Sequence, residues 1–144
     1  MHRIKLIASL LVAVLAVGSL LFVWQLGGSG KRVEITSFHV GGWYSGAVFP
    51  MIDYPFNLTI HNNENALIGG LAILIKTLDS DSNPVEVQGI GSEQTVRFNG
   101  ILEANETRTI TGWFLSELDS STRLLVVQVK SGNDILDEFQ TELN

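Results

Sequence analysis

The sequence has no cysteine. That absence excludes disulfides, thiolate metal sites, a cysteine nucleophile and a thioether lipid anchor. Acidic residues are missing from the start of the chain: all 15 lie from Glu34 onward. Basic residues are scarce where the acids are. Only Lys76, Arg97, Arg108, Arg123 and Lys130 follow residue 32, so the part from Val33 carries five basic against 15 acidic residues, a net charge of -10. Such a surface repels phosphate backbones and anionic headgroups, which argues against binding nucleic acid. Histidine is also scarce, at His2, His39 and His61. Zinc needs about three or four nitrogen or sulfur donors, so these are read as ordinary residues and no cofactor is expected.

What is present is a long apolar run, Leu6–Leu26. It has no charge, and its only polar side chains are Ser9, Ser19 and Gln25. As a helix it is about 31 Å long, close to the hydrocarbon thickness of a bilayer. A cleaved signal peptide would have a shorter apolar region, roughly 7–15 residues, and a small-residue cleavage site. Ala13/Leu15 and Ala16/Gly18 offer no clean site, and Leu20 to Val23 follow at once. A buried helix, apolar all round, needs a larger protein than the 112 residues from Val33 can supply. A prepilin helix usually carries a Glu shortly after its cleavage point, and here the first acid is Glu34. The segment therefore reads as an uncleaved signal anchor. Trp24 suits the interface, and Gly27-Gly28-Ser29-Gly30 makes a flexible joint.

Residues 1–5 form a basic start with Arg3 and Lys5, and Lys31 and Arg32 close the linker at 27–32. The two basic pairs nearly balance, so the positive-inside rule leans only slightly to a cytoplasmic amino terminus. Asn57-Leu58-Thr59 and Asn105-Glu106-Thr107 match the N-x-[ST] acceptor of secreted proteins, making Asn57 and Asn105 glycosylation candidates. The domain at 33–144 is expected outside the cytoplasm on a single-pass anchor.

From Val33 the pattern turns to alternation. Val33, Ile35, Ser37 and His39 are expected on one face of a strand, and Glu34, Thr36, Phe38 and Val40 on the other. Trp43–Tyr54 looks irregular, with Pro55 opening a strand from Phe56 to His61. Asn62 to Asn65 reads as a turn. Leu67–Leu78 reads as a central strand, since Leu71, Ile73 and Ile75 alternate against Lys76. Short strands are expected around Val85–Ile90 and Gln94–Phe98, and a Thr-rich one over Thr107–Phe114. Ser116–Ser121 reads as a loop or a single helical turn. Leu124–Lys130 and Ile135–Leu143 pair as a hairpin across a four-residue loop, Ser131 to Asp134. The fold class is therefore all-β, a sandwich of seven or eight strands preceded by one transmembrane helix.

The stretches PFNLTIHNNENALIGGLAILIKTLDSDSNPV, GILEANETRTITGWF and LLVVQVKSGNDILDEFQTEL resemble an immunoglobulin- or fibronectin type III-like module. They are similar to the CARDB-type, adhesion-related domains and to the late-embryogenesis-abundant water-stress domains. The residues carrying the resemblance are Leu58, Ile60 and Asn62, then Leu102, Glu106 and Thr107. Trp43–Tyr54 has no counterpart in that pattern. A membrane-anchored module of this kind also resembles archaeal cell-surface proteins, including the sandwich-bearing stators of the archaellum.

Candidate chemistry is sparse. Asp79, Asp81 and Asn83 have the D-x-D-x-N spacing that begins calcium loops. Pro84 stands where the EF-hand needs Gly, and Ile90 where it needs Glu, so a hairpin turn explains the same residues. No G-x-S-x-G or S-x-x-K motif is present. Asp137 and Glu138, adjacent on a strand, face opposite sides. Trp43, Tyr44, Phe49 and Tyr54 form the best functional candidate. They suit a partner contact, a plug for the end of the core, or a membrane contact. The expected role is a non-enzymatic binding or structural module. The bilayer is contacted through Leu6–Leu26 and a protein partner lies in the cell envelope. The alternative is a ligand-sensing ectodomain for calcium or a glycan.

Overall fold

A computed structural model describes residues 30–45, 49–118 and 120–144. The basic start, the apolar segment Leu6–Leu26 and the first half of the linker lie outside these residues. Among the described residues no helix is long and apolar enough to cross a membrane. Lys31–Asn144 form one compact unit.

Eight strands make it up: β1 Val33–Val40, β2 Tyr44–Ser45, β3 Met51–Asn62, β4 Leu71–Leu78, β5 Glu93–Val96, β6 Thr107–Glu117, β7 Leu124–Ser131 and β8 Asp134–Glu142. In the first sheet β3 is central. β6 pairs along one side of it, from Met51↔Glu117 to His61↔Thr107, while β1 and β2 share the other. The second sheet has the order β5-β4-β7-β8. Alternation decides which side chains meet between the sheets. Phe56, Leu58, Ile60 and Phe114 come from the first sheet, and Ile73, Ile75, Leu125, Val127 and Val129 from the second. Each such burial contributes roughly 1.5–3 kcal/mol. The expected sandwich is therefore present.

Several local expectations need correction, the loop at Ser116 among them, since β6 runs on to Glu117 and Ser116 is buried in it. The alternation of β1 breaks at Thr36, where a bulge between Ile35 and Ser37 shifts the register. Val33, Ile35 and Phe38 face the core, so Ser37 and His39 turn outward. Pro55 does not open a strand, because β3 already begins at Met51. A central strand tolerates this proline because its nitrogen faces the gap between β1 and β2. There the Gly41 N–H donates to the Pro55 carbonyl at 2.8 Å. A Cβ at Gly41 would lie 2.9 Å from Pro55 Cγ, so only glycine lets the chain pass this close. Val85–Ile90 forms isolated bridges, Leu78↔Pro84 and Val87↔Gly91, and no strand. Thr77 takes its backbone partners instead, donating from Oγ1 to the Val85 carbonyl at 2.8 Å. In the final hairpin Ser131 pairs with Asp134, leaving the two-residue turn Gly132-Asn133, and the φ of +59° at Gly132 is that of a II′ turn.

Two side chains of the second sheet close the long sides of the sandwich. On one side Gln94 of β5 imitates a peptide group. Its amide donates to the Leu115 carbonyl at 2.7 Å, and its carbonyl accepts the Leu115 N–H at 2.8 Å. On the other side Asp137 of β8 is buried, 7% exposed. Its carboxylate accepts the Ile35 N–H at 2.7 Å, the Glu138 N–H at 2.9 Å and the Lys31 ammonium at 2.5 Å. Burial alone would raise the Asp137 pKa. The bond from Lys31 and the two backbone N–H groups outweigh it and hold the carboxyl below its ordinary range. The same contact, led by the bond to Asp137, raises the Lys31 pKa.

The chain joins the domain beside this second closure. Arg32 grips Glu64 with two nitrogens, at 2.8 and 3.3 Å. The Asn63 N–H and side-chain amide donate to the carbonyls of Arg32 and Lys31 at 2.9 and 3.0 Å. Asn62 belongs to β3 and is fully buried. Its amide donates to the Ala66 and Glu103 carbonyls at 2.8 Å each, and its oxygen accepts the Glu64 N–H at 2.9 Å.

Candidate functional site

The aromatic candidates divide by register. Ile52, Tyr54 and Phe56 face the core, so Tyr54 is 8% exposed, and its ring stacks on Phe114 with centroids 5.0 Å apart and planes 8° apart. Tyr54 is thus part of the plug at that end of the core. Burial pushes its phenol pKa up, with Arg123 opposing. Trp43, Tyr44 and Phe49 are 50%, 61% and 83% exposed. They precede β3 and lie where β2 pairs with its first half, Tyr44 opposite Asp53.

β6 adds a residue to this surface. Trp113 stands opposite Pro55 on the outward face and is 60% exposed, while Phe114 beside it is buried. The opposed facing of these two residues follows from strand alternation alone. The rings of Tyr44 and Trp113 meet edge to face, centroids 5.7 Å apart at 66°. That contact crosses β3 between strands some seventy residues apart in sequence, so no local pattern announces it. Trp43 also walls two open grooves at this end of the sandwich. One, of about 510 Å³, is lined by Ile52, Tyr54, Ser116, Leu118 and Arg123 among others. The other, of about 210 Å³, is lined by Phe49, Pro50, Met51 and Leu118.

The remaining candidates line neither groove. Asp79 organises a turn: Oδ1 accepts the Asp81 N–H at 2.8 Å and the Asn83 N–H at 2.9 Å, and Asn83 Nδ2 reaches Oδ2 at 3.1 Å. Those bonds, led by the ones from Asn83, hold the Asp79 carboxyl below its ordinary range. Among the described residues no group of three or more His, Asp or Glu could hold a metal ion. Asn57 is exposed on β3, between His39 and Thr111. Asn105 sits in a left-handed turn, φ +56°, and donates from Nδ2 to Asn65 Oδ1 at 2.9 Å. His61 bonds through Nδ1 to Thr107 Oγ1 at 2.7 Å, while His39 stands opposite Asn57, so the two strand histidines are not brought together.

No protein-family model matches the chain, and no curated protein matches it. Solved structures do. A β-glucuronidase from glycoside hydrolase family 2 superposes with a TM-score of 0.55 at 14% identity, over 78% of this chain and 12% of that one. The exo-chitosanase CsxA of Amycolatopsis orientalis superposes with a TM-score of 0.46 at 16% identity, over 77% of this chain and 12% of that one. DesR, a β-glucosidase from Streptomyces venezuelae, gives 0.40 at 11% identity, over 78% and 15%. This chain thus spans about an eighth of the β-glucuronidase it resembles, and the likeness is one of fold, an all-β sandwich.

Proposed function

We propose that the chain is a membrane-tethered, non-enzymatic binding or structural module of the cell envelope. It holds a protein partner through its aromatic end. The anchor is Leu6–Leu26, with the domain outside the cytoplasm, and the finer likeness to CARDB-type adhesion modules belongs to this reading. One observation carries it: Trp43, Tyr44, Phe49 and Trp113 stand exposed at the end of the sandwich remote from the point where the chain joins it. The chain joins at Lys31, and β1 then runs eight residues, roughly 26 Å at 3.3 Å each, before Gly41 leads to Trp43. Within the domain the aromatic end and the entry point at Lys31 therefore lie at opposite ends of β1. Large exposed aromatics are the residues that dominate protein interfaces. Lys31 and Arg32 are engaged by Asp137 and Glu64, which gives this basic pair a role in the fold besides any in topology.

Two measurements test the reading. Intact mass of the membrane-extracted chain checks the anchor, and loss of about the first 18–30 residues would disprove it. Co-purification from detergent-solubilised membrane checks the partner. Fixed subunits at constant stoichiometry are expected. A lone protein whose melting temperature rises with calcium or an oligosaccharide would instead favour a ligand sensor.

A further inference from the structure

The outward face of the first sheet has a distinctive charge pattern around its aromatic pair. No Lys or Arg stands at an outward-facing position of β1, β2, β3 or β6. Asp53 does, directly opposite Tyr44 on β2 and Leu115 on β6. Its neighbours Ile52 and Tyr54 are buried, so its own side chain points outward beside the Tyr44–Trp113 pair. No ion pair among the described residues engages this carboxylate. The rings meet at 66° and so form a corner, whereas stacking successive sugar rings calls for a flat platform. A corner of two ring systems with a carboxylate at its foot suits a compact cation, which gains from the ring faces and from the charge together. The surplus of ten negative charges beyond residue 32 favours approach of a basic partner to the whole domain.

We infer that Tyr44, Asp53 and Trp113 form a receptor for one arginine or lysine side chain on a basic segment of the partner protein. This rests on the partner-contact reading and names the chemistry of that contact. The guanidinium or ammonium lies against the Trp113 and Tyr44 rings and pairs with Asp53.

The test titrates the full chain, in nanodiscs of phosphatidylcholine at pH 7.5, with a tetra-arginine amide peptide, following tryptophan fluorescence. Binding is expected to weaken about tenfold in Trp113→Ala and about threefold to tenfold in Asp53→Asn. It is expected to persist in Tyr44→Phe, which keeps the ring, and to fall with added salt more steeply in the wild type than in Asp53→Asn. Unchanged melting temperatures of these surface variants exclude misfolding. Equal peptide binding by all variants, or none by the wild type, overturns the inference. So does maltohexaose binding that Trp113→Ala abolishes and Asp53→Asn leaves intact, since that marks a neutral glycan site. A partner that co-purifies through Trp113 but is indifferent to Asp53 and to salt overturns the cation receptor while leaving the partner-contact reading standing. Failure of any partner to depend on Trp43, Phe49 or Trp113 removes that reading itself.

Discussion

The two long sides of the sandwich solve the same problem with different chemistry. At each, an edge strand of one sheet approaches an edge strand of the other without backbone pairing between them. At each, one inward side chain of the second sheet reaches the first sheet's backbone. Gln94 does so as a neutral donor and acceptor, matching both groups of Leu115. Asp137 does so as a charge, and can only accept. It therefore recruits Lys31 as well as the Ile35 N–H, at the bulge where β1 changes face. A neutral bridge needs little support and is indifferent to pH. A buried carboxylate strengthens the bonds it accepts but must keep donors around it. The charged side is also the side where the chain enters the domain at Lys31.

Breaking the charged side should have the largest effect. Asp137→Ala leaves Lys31 unpaired and the Ile35 N–H without its acceptor. A loss of about 3 kcal/mol is expected, about 12 °C in melting temperature by calorimetry. Gln94→Ala should cost less, about 1–1.5 kcal/mol, because water can reach the half-buried Leu115 groups it abandons. A larger loss in Gln94→Ala than in Asp137→Ala would reverse the ranking of the two sides.

pH sharpens the contrast further. Asp137 has a folded pKa below its unfolded value, so its contribution is full above the ordinary carboxylate range. It is lost as pH falls through the folded value. Asp79 does the same through its bonds from Asn83, and Glu106 through the bond from the Glu103 N–H and those from Arg108. Urea-unfolding midpoints should therefore fall below about pH 4. The Gln94→Ala curve should run parallel to wild type, and that of Asp137→Asn should be shallower. Parallel curves for wild type and Asp137→Asn would show that Asp137 is not the acid-sensitive group. The smallest effect is expected from Lys31→Met. The ammonium is 43% exposed, and the carboxylate keeps both backbone donors without it. A loss approaching that of Asp137→Ala would mean the ion pair, and not the backbone bond, closes this side.

Much of the sandwich was legible because alternation is local. β4, β6 and the first half of β1 announce themselves by which residues recur at every second position, and the final hairpin by its turn residues Gly132 and Asn133. The bulge at Thr36 was not legible, since the Ile35 N–H beside it finds its acceptor in Asp137, 102 positions away. The strand through Pro55 was hidden because a missing N–H is tolerated only where the neighbouring strand is interrupted, and that gap is set by pairing. Gln94 and Asp137 looked like ordinary strand residues for the same reason: an edge acquires meaning only when another edge faces it. Of the aromatic candidates, Trp43, Tyr44 and Phe49 were found by composition, whereas Trp113 joined them through long-range register. Tyr54 went to the core by its parity with Ile52 and Phe56.

In the function proposed above, the exposed aromatic end, away from Lys31, carries the partner contact. The direct measurement is paired co-purification of the full wild-type chain and a Phe49→Ala/Trp113→Ala variant from the same solubilised membrane, with melting curves alongside. On that proposal the melting temperatures are equal, the wild type brings down a stoichiometric partner, and the variant brings down at least tenfold less of it. Equal recovery of the partner by both chains would contradict it.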